Sequence, residues 1–232
     1  MPVITTATDA RGMFAVDIFA TEHNMRIVNP VMIKDISGRI LNNEPVGITG
    51  NDKYKNLLKV TEERWNGQIK YTDNSNNEYE SGVQIITGKD DKIVFKRTLK
   101  LVPQELAVGI GCKKGKSAHE IERAVKKTFD KAGLLLEAIA VVASVDRKAD
   151  EAGIIEFARK CKVPYKTYTP EYLRAVEGDF VSSAFVEEQI GVGNVCERSA
   201  GAASSGGEKL VGKTADNGVT VAIYRVAQKN KE

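Results

Sequence analysis

Apolar residues in the second half of this chain follow two alternating rhythms. Short continuous runs, ELAVGIGC (105–112), EAIAVVAS (137–144) and VPYKTYT (163–169), have the length and composition of buried strands. Between them lie stretches with apolar positions three and four apart. After the first run, Ile121, Ala124, Val125, Thr128, Phe129 and Ala132 fall on one helical face. Ser117, with Glu120 three residues on, is a capping box that starts this helix, and Gly133 closes it. DEAGIIEFARKC (150–161) predicts the next amphipathic helix, with Asp150 as N-cap and Glu151 in the first turn. Thr169-Pro170-Glu171 starts a short helix with proline at its first position. NVCERSAGAAS (194–204) predicts an alanine-rich helix capped by Asn194, and EKLVGKTADNGVTVAIYRV (208–226) a hairpin turned at Asp216-Asn217-Gly218. Residues 104–226 therefore read as an α/β domain of three layers, α/β/α. Its mixed, mainly parallel sheet carries a terminal hairpin.

The first half is patterned less regularly. FAVDIFATEHN and VMIKDISGRILNN place apolar residues at helical spacing, with Asn29-Pro30 as cap and first turn of the second helix. EPVGITG, SGVQIITG and DKIVFKRTLKLV are β-branched runs bounded by Gly and Asp, which predicts strands. NGQIKYTDNSNNEYESG is polar and Asn-rich and reads as an exposed loop. Residues 10–103 thus form a smaller α/β domain. The Thr-rich start, 1–9, reads as linker, and 227–232 as a frayed tail.

Composition narrows the function. A formal charge of +3 and 6% aromatic residues give no general affinity for nucleic acid or membrane. Cys112, Cys161 and Cys196 are widely spaced and odd in number, so neither a metal-ligand pattern nor a disulfide framework is expected. Reduced thiols in the cytoplasm are the plain reading, with no signal peptide and no membrane-length apolar run.

In such a sheet, ligands bind at the carboxyl ends of the strands. The loop VGIGCKKGKSAHE (108–120) leaves the first strand and resembles a phosphate cradle, yet it misses both glycine patterns by one residue. A Walker loop would need glycine at Ile110, and a dinucleotide fingerprint starting at Gly109 and Gly111 would need it at Lys114. Its own physics still favours an anion: Gly111 permits close approach, Lys113, Lys114 and Lys116 follow, and Ser117 opens a helix whose free N–H groups are positive. Cys112 beside these lysines is either an activated thiol or a small packing residue. The second loop, ASVDRKADEAG (143–153), gathers Ser144, Asp146, Lys148, Asp150 and Glu151 at the end of the next strand. Asp150 and Glu151 suit the helix that follows, so Asp146 and Ser144 are the catalytic candidates, Asp146 as general base. Asn194, Glu197 and Lys213 are expected on the same rim.

The ordered set LAVGIGCKKGKSAHEI, ASVDRKADEAGI, NVCERSAGAAS, Lys213 and VTVAIYR resembles the C-terminal domain of the cobalamin-biosynthesis family CbiG. GMFAVDIFATEHNMRIVNP with EPVGI is similar to that family's central domain, and PVITTATD to the end of its N-terminal domain. Residues 1–9 are accordingly expected to be the remnant of an otherwise absent N-terminal domain. The resemblance implies cobalt-precorrin-5A hydrolase activity, in which a δ-lactone on a contracted tetrapyrrole is opened and acetaldehyde is released. The expected partner is the small-molecule tetrapyrrole, together with contacts to neighbouring enzymes of the pathway. Cobalt would arrive inside the substrate, with no protein metal site and no cofactor. The substrate's acetate and propionate groups would meet Gly109, Gly111, Cys112, Lys113, Lys114, Ser117, Lys148, Asn194, Glu197 and Lys213. The alternative is a module that binds corrinoid intermediates without turning them over. A doubly wound nucleotide-binding protein is the third reading, and the two near-miss glycine patterns count against it.

Overall fold

The computed structural model describes residues 12–178, 180 and 193–227. The linker expected over 1–9 and residues 228–232 of the expected tail lie outside them. The described residues fall into two compact units, one ending at Gln104 and the other beginning at Glu105.

The first unit contains α1 (Val16–Glu22), β1 (Met25–Ile27), α2 (Met32–Leu41), β2 (Gly47–Thr49), α3 (Lys55–Arg64), β3 (Lys70–Tyr71), β4 (Ser81–Ile85) and β5 (Arg97–Pro103). Its sheet order is β1-β5-β4-β2-β3, with β1 antiparallel to β5 and the remaining pairs parallel. The core joins Phe14, Phe19, Ile36, Ile48, Leu58, Ile69, Val83 and Leu99, all buried. Burying such side chains stabilises by roughly 1.5–3 kcal/mol each before the entropy of ordering them is set against it.

Two local expectations are corrected in this unit. Asn29 does not cap α2. Its amide accepts from Lys100 N–H at 2.8 Å and donates to the Thr98 carbonyl at 2.9 Å, extending the β5 hydrogen bonding to the incoming chain. The Asn-rich segment is also not wholly exposed. Ile69 is fully buried, Lys70–Tyr71 pair with β2, and buried Asn74 organises the turn by bonding Tyr79 and Val94 backbone. A polar composition concealed a side chain whose donors and acceptor replace backbone pairing.

The second unit contains β6 (Leu106–Cys112), α4 (Ala118–Lys131), β7 (Ile139–Val145), α5 (Ala152–Cys161), β8 (Tyr165–Tyr168), α6 (Pro170–Ala175), α7 (Val195–Ser204), β9 (Lys209–Asp216) and β10 (Val219–Arg225). Its sheet order is β8-β7-β6-β10-β9. Strands β8, β7 and β6 are parallel, whereas β10 is antiparallel to β6 and to β9. Alternation along β6 assigns the layers. Gly109 faces α7, and its neighbours Val108 and Ile110 point to the opposite face, which α4 and α5 cover. The predicted helix face Ile121, Ala124, Val125, Thr128 and Phe129 is buried, and Gly133 follows the helix with φ +66°.

Candidate functional site

The carboxyl ends of β6, β7 and β8 and the β9–β10 turn meet at one rim of the second unit. Val219, which starts β10, pairs with Cys112 at the end of β6, and the Lys113 N–H donates to the Gly218 carbonyl at 2.9 Å. Tyr168 pairs with Val145, one residue before Asp146. The rim therefore carries the 113–117 loop, the 146–151 turn, the start of α6 and the hairpin turn.

The lysine loop is built differently from an open anion cradle. The capping box is complete: Ser117 Oγ accepts the Glu120 N–H, while the Glu120 carboxylate accepts the Ser117 N–H at 3.0 Å and Lys116 Nζ at 2.8 Å. Lys116 and the Ser117 donors hold the Glu120 carboxyl down at about 2. The Gly115 N–H donates to Glu151 Oε1 at 2.8 Å, and Glu151 Oε2 pairs with Lys148 Nζ at 2.7 Å. Burial alone would raise the Glu151 carboxyl, but Lys148, the Gly115 N–H and Lys114 together hold it below the ordinary carboxylate range. Two of the chain's own carboxylates thus satisfy backbone donors of this loop, at Gly115 and Ser117. Lys113 and Lys114 remain exposed.

The other predicted residues separate into rim and interior. Asp146 opens a short 3-10 turn at the end of β7, half-buried, with Oδ1 accepting the Arg147 N–H at 2.6 Å. It lies in the turn that closes β7, at the strand end where the sequence places it. Ser144 is completely buried, and its hydroxyl donates to the Ile110 carbonyl at 2.7 Å. That bond ties β7 to β6 and seals the hydroxyl from solvent, so its catalytic assignment gives way to a packing role. Lys148 is paired inward with Glu151, and its side chain is only 14% exposed. Half-buried Cys112 lies near Lys148, Glu151 and Lys116. Burial raises its thiol despite the neighbouring lysines, the direction of a packing residue more than of an activated thiol.

Gly109 and Gly111 face neighbouring elements. A Cβ on Gly109 would lie 1.8 Å from the Cys196 carbonyl oxygen, so this glycine exists to let α7 settle on β6. A Cβ on Gly111 would lie 2.6 Å from Thr220 Oγ1 on β10. Gly109 is corrected from ligand contact to packing, whereas half-exposed Gly111 meets only a side-chain hydroxyl.

Asn194 caps α7 from a left-handed conformation (φ +54°), its Oδ1 accepting the Glu197 N–H at 3.3 Å. Asn194 and Glu197 are both buried, at 1% and 2% exposure. The Glu197 carboxylate accepts the Lys213 backbone N–H and lies 3.6 Å from Lys209 Nζ, fastening α7 to β9. Between them, burial pushes the Cys196 thiol up to about 11. Lys213 is half-buried on β9.

Residues outside the predicted set complete the rim. Glu151 is the N-cap position of α5 in place of Asp150, and its side chain bonds across loops without capping its own helix. The Tyr165 hydroxyl donates to the Lys148 carbonyl at 2.8 Å, and burial pushes its phenol up to about 12. Arg198 donates Nη1 to the Leu173 carbonyl at 3.0 Å, securing the end of α6. Such cross-loop partners depend on strand register, which local spacing does not reveal.

Among the described residues no group of three or more His, Cys, Asp or Glu could hold a metal ion, and no helix is long and apolar enough to cross a membrane. Comparison with known proteins agrees across both units. Residues 14–145 match the family model for the cobalamin biosynthesis central region, and residues 106–224 the model for the cobalamin synthesis G C-terminus. A cobalt-precorrin-5A hydrolase of Salmonella typhimurium is 30% identical over 225 residues, covering 96% of this chain and 63% of that protein. One from Priestia megaterium is 24% identical over 182 residues, covering 75% of this chain and 48% of that protein. This chain therefore spans half to two thirds of the length of these relatives. The solved structure of CobE, a protein from the cobalamin (vitamin B12) biosynthetic pathway, superposes with a TM-score of 0.51 at 28% identity. It covers 55% of this chain and 94% of its own. With family models matching in order along both units, the chain belongs to the CbiG family of cobalamin-biosynthesis proteins.

Proposed function

We propose that the chain acts in cobalamin biosynthesis as a cobalt-precorrin-5A hydrolase. The observation that carries this is the similarity to a hydrolase of that name over 96% of the chain. The rim chemistry is compatible with it. Exposed Lys113 and Lys114 attract the peripheral carboxylates of a tetrapyrrole. Asp146, fixed by the Arg147 N–H, accepts a proton from water as that water attacks the lactone carbonyl. A lysine ammonium stabilises the resulting oxyanion. Ring opening leaves a carboxylate and a two-carbon substituent that keeps the lactone oxygen as an alkoxide, whose collapse forms the aldehyde C=O. Carbon–carbon cleavage then releases that substituent as acetaldehyde, with its electron pair passing to the macrocycle. Cobalt enters as part of the substrate, and the protein contributes no cofactor.

A second reading has its own support. CobE aligns over 94% of its own length with 55% of this chain, so a cobalamin-pathway protein similar to only about half of this chain exists. Binding without turnover is the corresponding function. One assay separates the two: acetaldehyde released from cobalt-precorrin-5A under anaerobic conditions, against a no-protein control. Release that falls at least a hundredfold in Asp146→Asn supports hydrolysis with Asp146 as base. Release undiminished in that variant removes Asp146 from the mechanism. A spectral shift of the substrate without acetaldehyde supports the binding reading.

A further inference from the structure

We propose that the stacked pair Tyr168–Tyr172, at the carboxyl end of β8, is a platform for the face of a conjugated ring bearing carboxylates, with Tyr172 making the contact. The inference rests on the tetrapyrrole reading above and names a subsite for it.

Tyr172 is 55% exposed, an uncommon position for a large aromatic side chain, yet its ring is held in place. It stacks on Tyr168 with centroids 5.3 Å apart and planes 15° from parallel. Tyr168 ends β8 and packs with Val145, Leu173 and Val195 beneath the stack. The backbone is fixed as well. The Tyr172 N–H donates to Thr169 Oγ1 at 3.2 Å, Pro170 restricts the first turn, and the next residue, Leu173, is fully buried. Arg198 holds the Leu173 carbonyl from α7. One face of the Tyr172 ring lies against Tyr168, and the exposed remainder is the surface offered to a ligand. A ring already ordered loses little freedom when a second ring settles on it.

The surroundings suit a polyanionic ring. Register puts Tyr168 beside Val145, so the platform adjoins the turn that holds Asp146 and Arg147, whose charge also acts on Glu171 of α6. Lys166, which is exposed, lies two residues before Tyr168 and therefore on the same face of the edge strand. A flat ring on Tyr172 would carry its peripheral carboxylates toward these cations while its edge approached the candidate base.

The test uses zinc uroporphyrin, a planar tetrapyrrole octacarboxylate, titrated against the full chain and followed by the shift of its absorption band. Wild type and Tyr172→Phe should bind within about twofold of each other, and Tyr172→Ala roughly tenfold or more weakly, the loss typical of one stacking aromatic. Unchanged far-UV circular dichroism would show that the alanine variant is folded. Equal affinity of wild type and Tyr172→Ala overturns the platform and leaves the tetrapyrrole reading standing. Failure of wild type to bind the probe counts against both.

Discussion

Removing the Glu151 carboxylate should loosen the whole rim, because one side chain joins its two loops. Glu151→Ala deletes the 2.7 Å contact to Lys148 Nζ and the 2.8 Å acceptor of the Gly115 N–H together. The Glu151 and Lys148 side chains are 9% and 14% exposed, so water replaces little of what is lost. Hydrogen bonds to charged groups contribute about 1.5–3 kcal/mol each, and stranding a buried charge costs about 3–5 kcal/mol. Lys148 can still swing its head toward solvent, so a net loss of about 2–4 kcal/mol is expected for the second unit. Glu151→Gln keeps an acceptor for Gly115 but not the charge, and should cost about half as much. Trp65 lies in the first unit, so tryptophan fluorescence would report on that unit. Amide hydrogen exchange at Gly115 and along β6 and β7 is the appropriate measurement. Acid adds an independent check. The folded Glu151 carboxyl titrates below its ordinary value. Its contribution is therefore complete above about pH 4.5 and disappears as pH falls through the lower folded value. Glu151→Gln should remove that part of the acid sensitivity. Glu151→Ala with unchanged Gly115 exchange and stability within about 0.5 kcal/mol of wild type would refute the clasp.

Two further substitutions separate packing from chemistry. Gly109→Ala places a methyl against the Cys196 carbonyl and must push α7 off the sheet, with an expected loss of about 3 kcal/mol or more in urea unfolding followed by circular dichroism. A variant of wild-type stability would show that α7 can shift freely. Ser144→Ala leaves the Ile110 carbonyl without its side-chain donor and should cost about 1 kcal/mol, and under the proposed function acetaldehyde release should equal that of wild type. Loss of turnover in a stable Ser144→Ala protein would return this residue to the catalytic set.

What the sequence disclosed and what it concealed divide along physical lines. Features set within four or five residues were legible: the Ser117–Glu120 capping box, the Asn194 cap, Pro170 in the first turn of α6, and the Asn217-Gly218 turn all occur where spacing placed them. So did the buried face of α4, whose 3.6-residue period is strong. Helix α3, KNLLKVTEER, is absent from the sequence pattern because only Leu58 and Thr61 of its residues are buried, too little apolar surface to set a period. The site was harder for the same reason. Glu151 looked like an ordinary first-turn residue, and only the closeness of two loops reveals that it holds Gly115. Gly109 and Gly111 looked like a ligand cradle because a glycine that admits a helix reads the same as one that admits a phosphate.

That ambiguity has a consequence for how the rim attracts its ligand. An empty helix N-terminus would bind any small anion, phosphate included. Here Glu120 and Glu151 occupy donors around the start of α4 and neutralise Lys116 and Lys148 within the fold. Exposed positive side chains remain on the loop after β6, at Lys113 and Lys114. Long cations spread around a rim favour a broad ligand carrying several carboxylates over a compact anion that needs converging N–H groups. The two failed glycine motifs and the internal carboxylates point the same way: the loop departs from a phosphate cradle in sequence, and in the fold its Gly115 and Ser117 N–H groups already hold carboxylates of the chain.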